Sequence, residues 1–455
     1  MDVLVIGAGP AGVFAALRAA DLGARATLVT SGAFGGMAAN DGPVPVRTLA
    51  HAARLMREVR QLEDYGIHVG EPRLDYPALL ARVRAVVETV RQSSTMRRQL
   101  EAAGVRVAEQ AGAARFLDER TVETAEGMRF AADRIILCTG GTSRKLPIPG
   151  FQHLATHSDA WSLEAVPETM IVLGAGATGL QVASIFGAFG TKVALYETGP
   201  RIMPGEDEDV SAAVAEGYRA RGIDVHEAFG RIARFEPTYD GIRMVYEDGE
   251  GEHAVEAALA VSAVGWATDA EGLNLAAAGV TLNARGFIGV DGEGRTSAPH
   301  IYAAGDVTGG TMLAPRAMQD GFAAASAALG VETRAAAERL VPVGSFTDPE
   351  YARVGATEAE AGEGALVTRA IFAEATRPII DGRTAGFAKL IVDRETKRML
   401  GCAVVGERAV DIVQVAAVAM AAEMEVDDLA HFPLSFPTYA GVLAQLAVKS
   451  AHALR

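Results

Sequence analysis

Val3-Leu4-Val5-Ile6-Gly7-Ala8-Gly9-Pro10-Ala11-Gly12 decides the fold. The first four residues form an apolar run that reads as a buried strand, and Val13 to Leu22 reads as a helix. Between them lies GxGxxG, in the strand-to-helix setting that gives the pattern meaning. Gly7 permits the tight turn. Gly9 lets a pyrophosphate approach the backbone, and Gly12 lets helix and strand pack closely. The free N–H groups and partial positive charge of the helix N-terminus, which opens at Pro10, favour phosphate.

The device recurs. Met170 to Leu173 leads into Gly174-Ala175-Gly176-Ala177-Thr178-Gly179, with a helix to about Phe189. The next strand, Val193 to Tyr196, ends at Glu197, an acid placed to accept from ribose hydroxyls. At the same offset the first copy has Thr30. Two such loops predict two dinucleotide sites, one holding its cofactor tightly and one exchanging it.

Composition narrows the classes. The 455 residues predict several domains, and 49% apolar with only 6% aromatic content predicts a core of Ala, Val, Leu and Ile. A net charge of −15 argues against nucleic acid and against docking to an anionic membrane. The longest apolar stretch, Val415 to Ala422, falls short of the roughly 18 residues of a spanning helix. The immediate strand leaves no room for a signal peptide, so a cytoplasmic location is expected. Cys138 and Cys402 lie in separate apolar, strand-like runs and read as buried hydrophobes. His153 and His157 have helical ligand spacing but no third ligand nearby, so no metal is expected.

Further along, a helix is predicted from about Val46 to Tyr65, and another from Asp75, as N-cap, to near Gly104. Arg134 to Cys138 reads as a strand ending at Thr139-Gly140-Gly141, and Ile301 to Ala304 as one ending at Gly305-Asp306. A helix runs from Ala314 to Leu329, and residues 331–340 read as a linker. Phe387–Val392 and Met399–Val405 form a hairpin pattern, and Val410 to Glu423 an apolar-faced helix.

In this order the motifs resemble the pyridine nucleotide-disulfide oxidoreductase family, which includes lipoamide dehydrogenase, mercuric reductase and soluble transhydrogenase. The resemblance implies an α/β fold: two Rossmann-like dinucleotide-binding domains plus a C-terminal α+β dimerisation domain. It divides the chain into a first FAD-binding part (1–150), an NAD(H)-binding domain (151–270), a central FAD-binding part (271–337) and a dimerisation domain (338–455). It implies FAD and NADH as cofactors and a homodimer. FAD would be held by Gly7, Gly9, Pro10, Ala11, Gly12, Thr30, Gly36, Met37, Thr139, Gly140, Gly305 and Asp306. NADH would be held by Gly174, Gly176, Thr178, Gly179, Glu197 and Gly265.

The departures from the family pattern carry as much. Its redox segment, Gly-Gly-Thr-Cys-x-Asn-x-Gly-Cys-x-Pro, here runs from Gly35 to Pro45, with Ala38 and Pro43 in place of both cysteines. Its His-Pro-Thr-x-x-Glu motif is Phe436-Pro437-Thr438-Tyr439-Ala440-Gly441. Arg47 replaces a lysine, Gln181 a glutamate and Trp266 an arginine. Thiol chemistry needs a thiolate and a base, so the expectation is an enzyme that is not a disulfide reductase. Hydride would pass from NADH to the flavin, then electrons to a small conjugated acceptor such as a quinone. Arg47, Gln181, Phe436, Ala38 and Pro43 are its candidate catalytic residues. A transhydrogenase-like activity, an NADH oxidase or tailoring flavoenzyme, and a non-catalytic flavin-binding module remain as alternatives.

Overall fold

The computed structural model describes residues 1–268, 270–332 and 340–455. The expected linker at 331–340 and the 337/338 boundary fall largely outside them. The chain forms two compact units.

The first unit comprises residues 1–49, 75–144 and 265–336. Its central sheet is parallel, in the order Ile301–Ala303, Arg134–Leu137, Asp2–Ile6, Arg25–Val29 and Arg106–Ala108. Side chains alternate across a strand, so Val3 and Val5 enter one core while Leu4 and Ile6 enter another. Burial on both faces explains the unbroken apolar run. The helices Pro10–Asp21 and Ala314–Ala328 cover one face together. A methyl group at Gly321 would overlap the Ala11 backbone, so the two helices meet at backbone range. Phe116 and Val122, from a small antiparallel sheet, cover the other face.

The second unit comprises residues 50–74, 145–264 and 337–455. One parallel sheet runs Asp224–Glu227, Lys192–Glu197, Thr169–Leu173, Leu259–Ser262, Ala155–Thr156. A five-stranded antiparallel sheet carries the expected hairpin, Gly386–Asp393 paired with Met399–Gly406. The helices Ala409–Ala421 and Gly441–Ala453 pack on it. At the start of the helix Glu208–Ala220, the fully buried Lys389 ammonium meets Asp207 (2.6 Å), Asp209 (2.9 Å) and Glu358 (2.6 Å). Burial works against that charge, but the hydrogen bonds to the three carboxylates outweigh it and raise the ammonium's pKa.

Two local expectations change and one element is added. The helix expected from Val46 begins at Pro43 and ends at Gln61, because proline suits the first helical position, where its N–H is not needed. The glycine-rich stretch before it holds a short helix, Gly36–Asn40. The long helix expected from Asp75 breaks in two, Tyr76–Ser93 and Thr95–Ala102. Ser94 is extended there, and its side chain accepts the Arg97 N–H (3.3 Å), capping the second helix. Asp75 caps the first by accepting from Ala78 N–H (3.0 Å). Among the described residues no helix is long and apolar enough to cross a membrane.

Candidate functional site

In the first unit, adjacent strands deliver the singled-out residues to one edge. The strands ending at Ala303, Leu137, Ile6 and Val29 are neighbours in the parallel sheet. Beyond their carboxyl ends come Gly305-Asp306, Thr139-Gly140, Gly7 and Thr30. Open α/β sheets bind ligands at this edge.

Close approaches tie these turns together. A Cβ built on Gly305 would lie 3.0 Å from Ala11 Cβ, and one on Gly141 3.6 Å from Asp306 Cβ. A Cβ on Gly36, whose φ is +55°, would lie 2.7 Å from Gly9 Cα. Gly35 N–H donates to the Ala8 carbonyl (3.0 Å). The segment carrying Met37, Ala38 and Pro43 therefore starts against the glycine loop. Met37 and Ala38 are half-buried, while Pro43 and Arg47 are exposed.

The loop suits a phosphate. Its helix opens at Pro10 after an extended Gly9, with no side-chain cap and no acid in the first turn. The first N–H groups are thus left for a ligand. Asp306 supplies a second polar group. Burial, then the Asp320 charge, raise its carboxyl above the usual range, and a donating hydroxyl would relieve that cost. Thr30 is buried, with its N–H on the Ala108 carbonyl (3.0 Å) and its carbonyl accepting Ala111 N–H (3.0 Å).

The second unit repeats the geometry. A methyl group at Gly179 would overlap the Gly174 carbonyl oxygen, as one at Gly12 would overlap that of Gly7. A Cβ on Gly176 would meet nothing within 4 Å, so the outer side of this loop is open. The helix Ala177–Ala188 likewise lacks a side-chain cap and an acid in its first turn. Glu197 is fixed across the loop: Oε2 accepts Ala175 N–H (2.9 Å) and Oε1 accepts Gly199 N–H (2.8 Å). Thr178 is half-buried on the first helical turn, where Gln181 Nε2 donates back to the Ala177 carbonyl (3.0 Å). Gly265 stands apart from this set. It belongs to the first unit, where its carbonyl accepts Arg144 N–H (2.9 Å) and Trp266–Ala267 pairs with Thr142–Ser143.

The residues at the C-terminal motif lie in the second unit. Phe436 is 82% exposed. Thr438 donates to the Ser435 carbonyl (2.8 Å) and accepts Gly441 N–H (3.2 Å). Both cysteines are free and buried. Cys402 lies in the strand Met399–Gly406, and burial pushes its thiol up to about 12. Cys138, expected within a strand, lies one residue past Arg134–Leu137. Its side chain packs beneath Gly12, and burial pushes the thiol up strongly.

The pyridine nucleotide-disulphide oxidoreductase pattern matches residues 1–321, and the dimerisation-domain pattern of the same family matches 341–447. The chain belongs to this family. FAD and NAD(H) are the cofactors of this flavoprotein oxidoreductase, and its C-terminal part is a dimerisation domain. Dihydrolipoyl dehydrogenase of Zymomonas mobilis is 32% identical over 96% of this chain and 95% of its own length. That of Bacillus subtilis is 30% identical over 97% of both. Among solved structures, LpdA of Mycobacterium tuberculosis has a TM-score of 0.90 at 28% identity, covering 99% of each chain. The HOCl-induced flavoprotein disulfide reductase RclA of Escherichia coli has 0.87 at 25%, covering 98% of this chain and 99% of its own.

These names correct the expectation that disulfide reductases could be set aside. Relatives spanning nearly the whole oxidoreductase are dihydrolipoyl dehydrogenases, and a solved neighbour is a disulfide reductase. The physical reason is one of extent. Ala38 and Pro43 alter the side chains of one segment, whereas the likeness covers both dinucleotide loops, the sheets behind them and the dimerisation domain.

Proposed function

We propose that this oxidoreductase takes electrons from NADH and delivers them to a small conjugated acceptor of the quinone type, with no cysteine pair of its own on the route. The observation that carries the reading is the segment from Gly35 to Pro45: it abuts the glycine loop and presents Ala38 and Pro43 where the family has cysteines. Overall, NADH, a proton and a quinone give NAD+ and a hydroquinone. When bound, FAD supplies the redox chemistry, as hydride acceptor from NADH and two-electron donor to the quinone.

The chain's own groups bind and orient. Gly7, Gly9, Pro10, Ala11 and Gly12 frame the N–H groups for the FAD pyrophosphate, and Asp306, beside Gly305, accepts from a ribityl hydroxyl. Thr30, Gly36, Met37, Thr139 and Gly140 line the rest of that site. Gly174, Gly176, Thr178 and Gly179 take the NADH pyrophosphate, with Gln181 on the helix that follows. Glu197 accepts from ribose hydroxyls and repels a 2′-phosphate. The acceptor lies against Ala38, Pro43 and Val44, beside Arg47 and the partner subunit's Phe436. The exposure of Phe436 in the single chain supports a stacking role, worth about 0.5–1.5 kcal/mol beyond burial. The four-part division at 150, 270 and 337, the homodimer through 338–455 and a cytoplasmic location complete the proposal.

The names of the relatives favour a second acceptor class, a small disulfide, so lipoamide belongs in the same acceptor screen. Ala38→Trp tests the acceptor site. Quinone turnover should fall, while flavin reduction by NADH stays near the parent rate. Parent-like quinone turnover in this variant would place the acceptor elsewhere.

A further inference from the structure

We propose that Arg91, Arg97 and Glu109 are positioning residues that fix the segment Phe34–Asn40 through a closed ring of hydrogen bonds. The proposal rests on the reading of that segment as a wall of the acceptor site. Phe34 N–H donates to Glu109 Oε2 (3.1 Å), and Glu109 Oε1 accepts from Arg97 Nη2 (2.6 Å). Arg97 Nε donates to the Arg91 carbonyl (2.9 Å), and Arg91 Nε donates to Asn40 Oδ1. Asn40 Nδ2 closes the ring on the Phe34 carbonyl (3.1 Å) and also reaches the Gly36 carbonyl (2.7 Å). The Arg97 guanidinium lies 4.6 Å from the centroid of the buried Phe34 ring.

Every member belongs to the first unit. The ring joins the segment to three elements: the helix Tyr76–Ser93, the helix Thr95–Ala102 and the residue after the strand Arg106–Ala108. The break at Ser94 matters, because it lets Arg97 turn back onto a carbonyl in the last turn of the preceding helix. Ala38 lies between the two anchored ends, Phe34-Gly36 and Asn40. With Ala38 and Pro43 the segment has no disulfide to hold its shape, and these polar contacts supply the restraint. Both oxygens of Glu109 are engaged, and the Arg97–Glu109 ion pair is only 25% and 30% exposed, which limits screening by water. Removing the Arg91 side chain frees the Asn40 amide to turn, and the segment loses its direct tie to the helix Tyr76–Ser93.

The test uses holoenzyme variants Arg91→Met and Arg97→Met, with Arg84→Met, on an exposed face of the same helix as Arg91, as control. Hydrogen exchange of amides 34–42 should quicken about tenfold or more in the first two, the equivalent of one charge-assisted hydrogen bond. The KM for 1,4-benzoquinone should rise by a similar factor. The rate of flavin reduction by NADH and the retention of FAD should match the parent, and Arg84→Met should change none of these. Unchanged exchange at 34–42 in Arg91→Met that retains FAD would overturn the proposal. If that variant loses FAD, Glu109→Gln decides, since it keeps an acceptor for Phe34 and removes the ion pair; faster exchange supports the ring and parent-like exchange overturns it. A parent without benzoquinone turnover would defeat the proposed function, while the exchange data would still judge the ring.

Discussion

At the scale of single residues, the fold holds two carboxylates in contrasting ways. Glu197 accepts from two backbone N–H groups, Ala175 in the glycine loop and Gly199 just after the strand, so its carboxylate is already oriented before any ligand arrives. Glu197→Gln keeps the shape and removes the charge. We predict that the preference for NADH over NADPH, measured as the ratio of kcat/KM, falls about tenfold or more. Glu350 behaves differently. Burial, then the Glu407 charge, with a smaller push from Asp411, raise its carboxyl from 4.5 to about 7 against the pull of Arg54 and Arg408. The folded chain then holds a proton that the unfolded chain has already lost. Stability should therefore fall as pH rises from 4.5 to about 7, by up to roughly 3 kcal/mol. Denaturant midpoints should fall over that window in the parent and flatten in Glu350→Gln; identical pH profiles would contradict the assignment.

At the scale of elements, Lys389 joins the strand Gly386–Asp393 to the start of the helix Glu208–Ala220 through Asp207 and Asp209, and to Glu358. Lys389→Met fills the space but strips the ammonium from Asp207, Asp209 and Glu358, of which the last two keep Arg369 (2.7 and 3.0 Å). We expect a loss of about 3–5 kcal/mol in denaturant unfolding; restoring stability by adding Asp207→Asn would identify the stranded charge as the cause. The elements were unevenly legible in the sequence. Both glycine loops read correctly because their information is local: a strand, a fixed glycine spacing and a helix. The short helix Gly36–Asn40 gave no local signal, because glycine is a poor helix former and Gly35 and Gly36 stand at its start. The break at Ser94 had a signal in the run Ser93-Ser94-Thr95, which offers caps. The ring through Arg91, Arg97 and Glu109 had none. Those side chains sit far along the chain from Phe34 and Asn40, two on helices and one just past a strand, in patterns that say only which face is buried.

For the whole molecule, the fold class followed from motif order, but the threading of each unit did not. The first unit takes its outer strand, Ile301–Ala303, from beyond residues 145–264 of the second unit. No local pattern states that pairing; burial of both faces of Arg134–Leu137 requires a neighbour without naming it. Likewise, loss of both cysteines in one segment was read as a change of class, which the likeness along the whole chain corrected. The dimerisation domain supports a homodimer. Light scattering at micromolar concentration should give twice the mass of 47.4 kDa. FAD should copurify without a covalent bond, and Asp306→Ala should retain less of it after gel filtration.

The central claim is that electrons leave the flavin for a small conjugated acceptor without a thiol of this chain. Double-mixing stopped flow on FAD-loaded Cys138→Ser/Cys402→Ser protein tests it most directly. NADH is mixed first under anaerobic conditions, then 1,4-benzoquinone, and flavin absorbance is followed. The account predicts rapid bleaching by NADH and recovery on adding quinone, at a rate no slower than parent turnover. Bleached flavin that quinone fails to reoxidise, in a variant that stays folded and loaded, would contradict it.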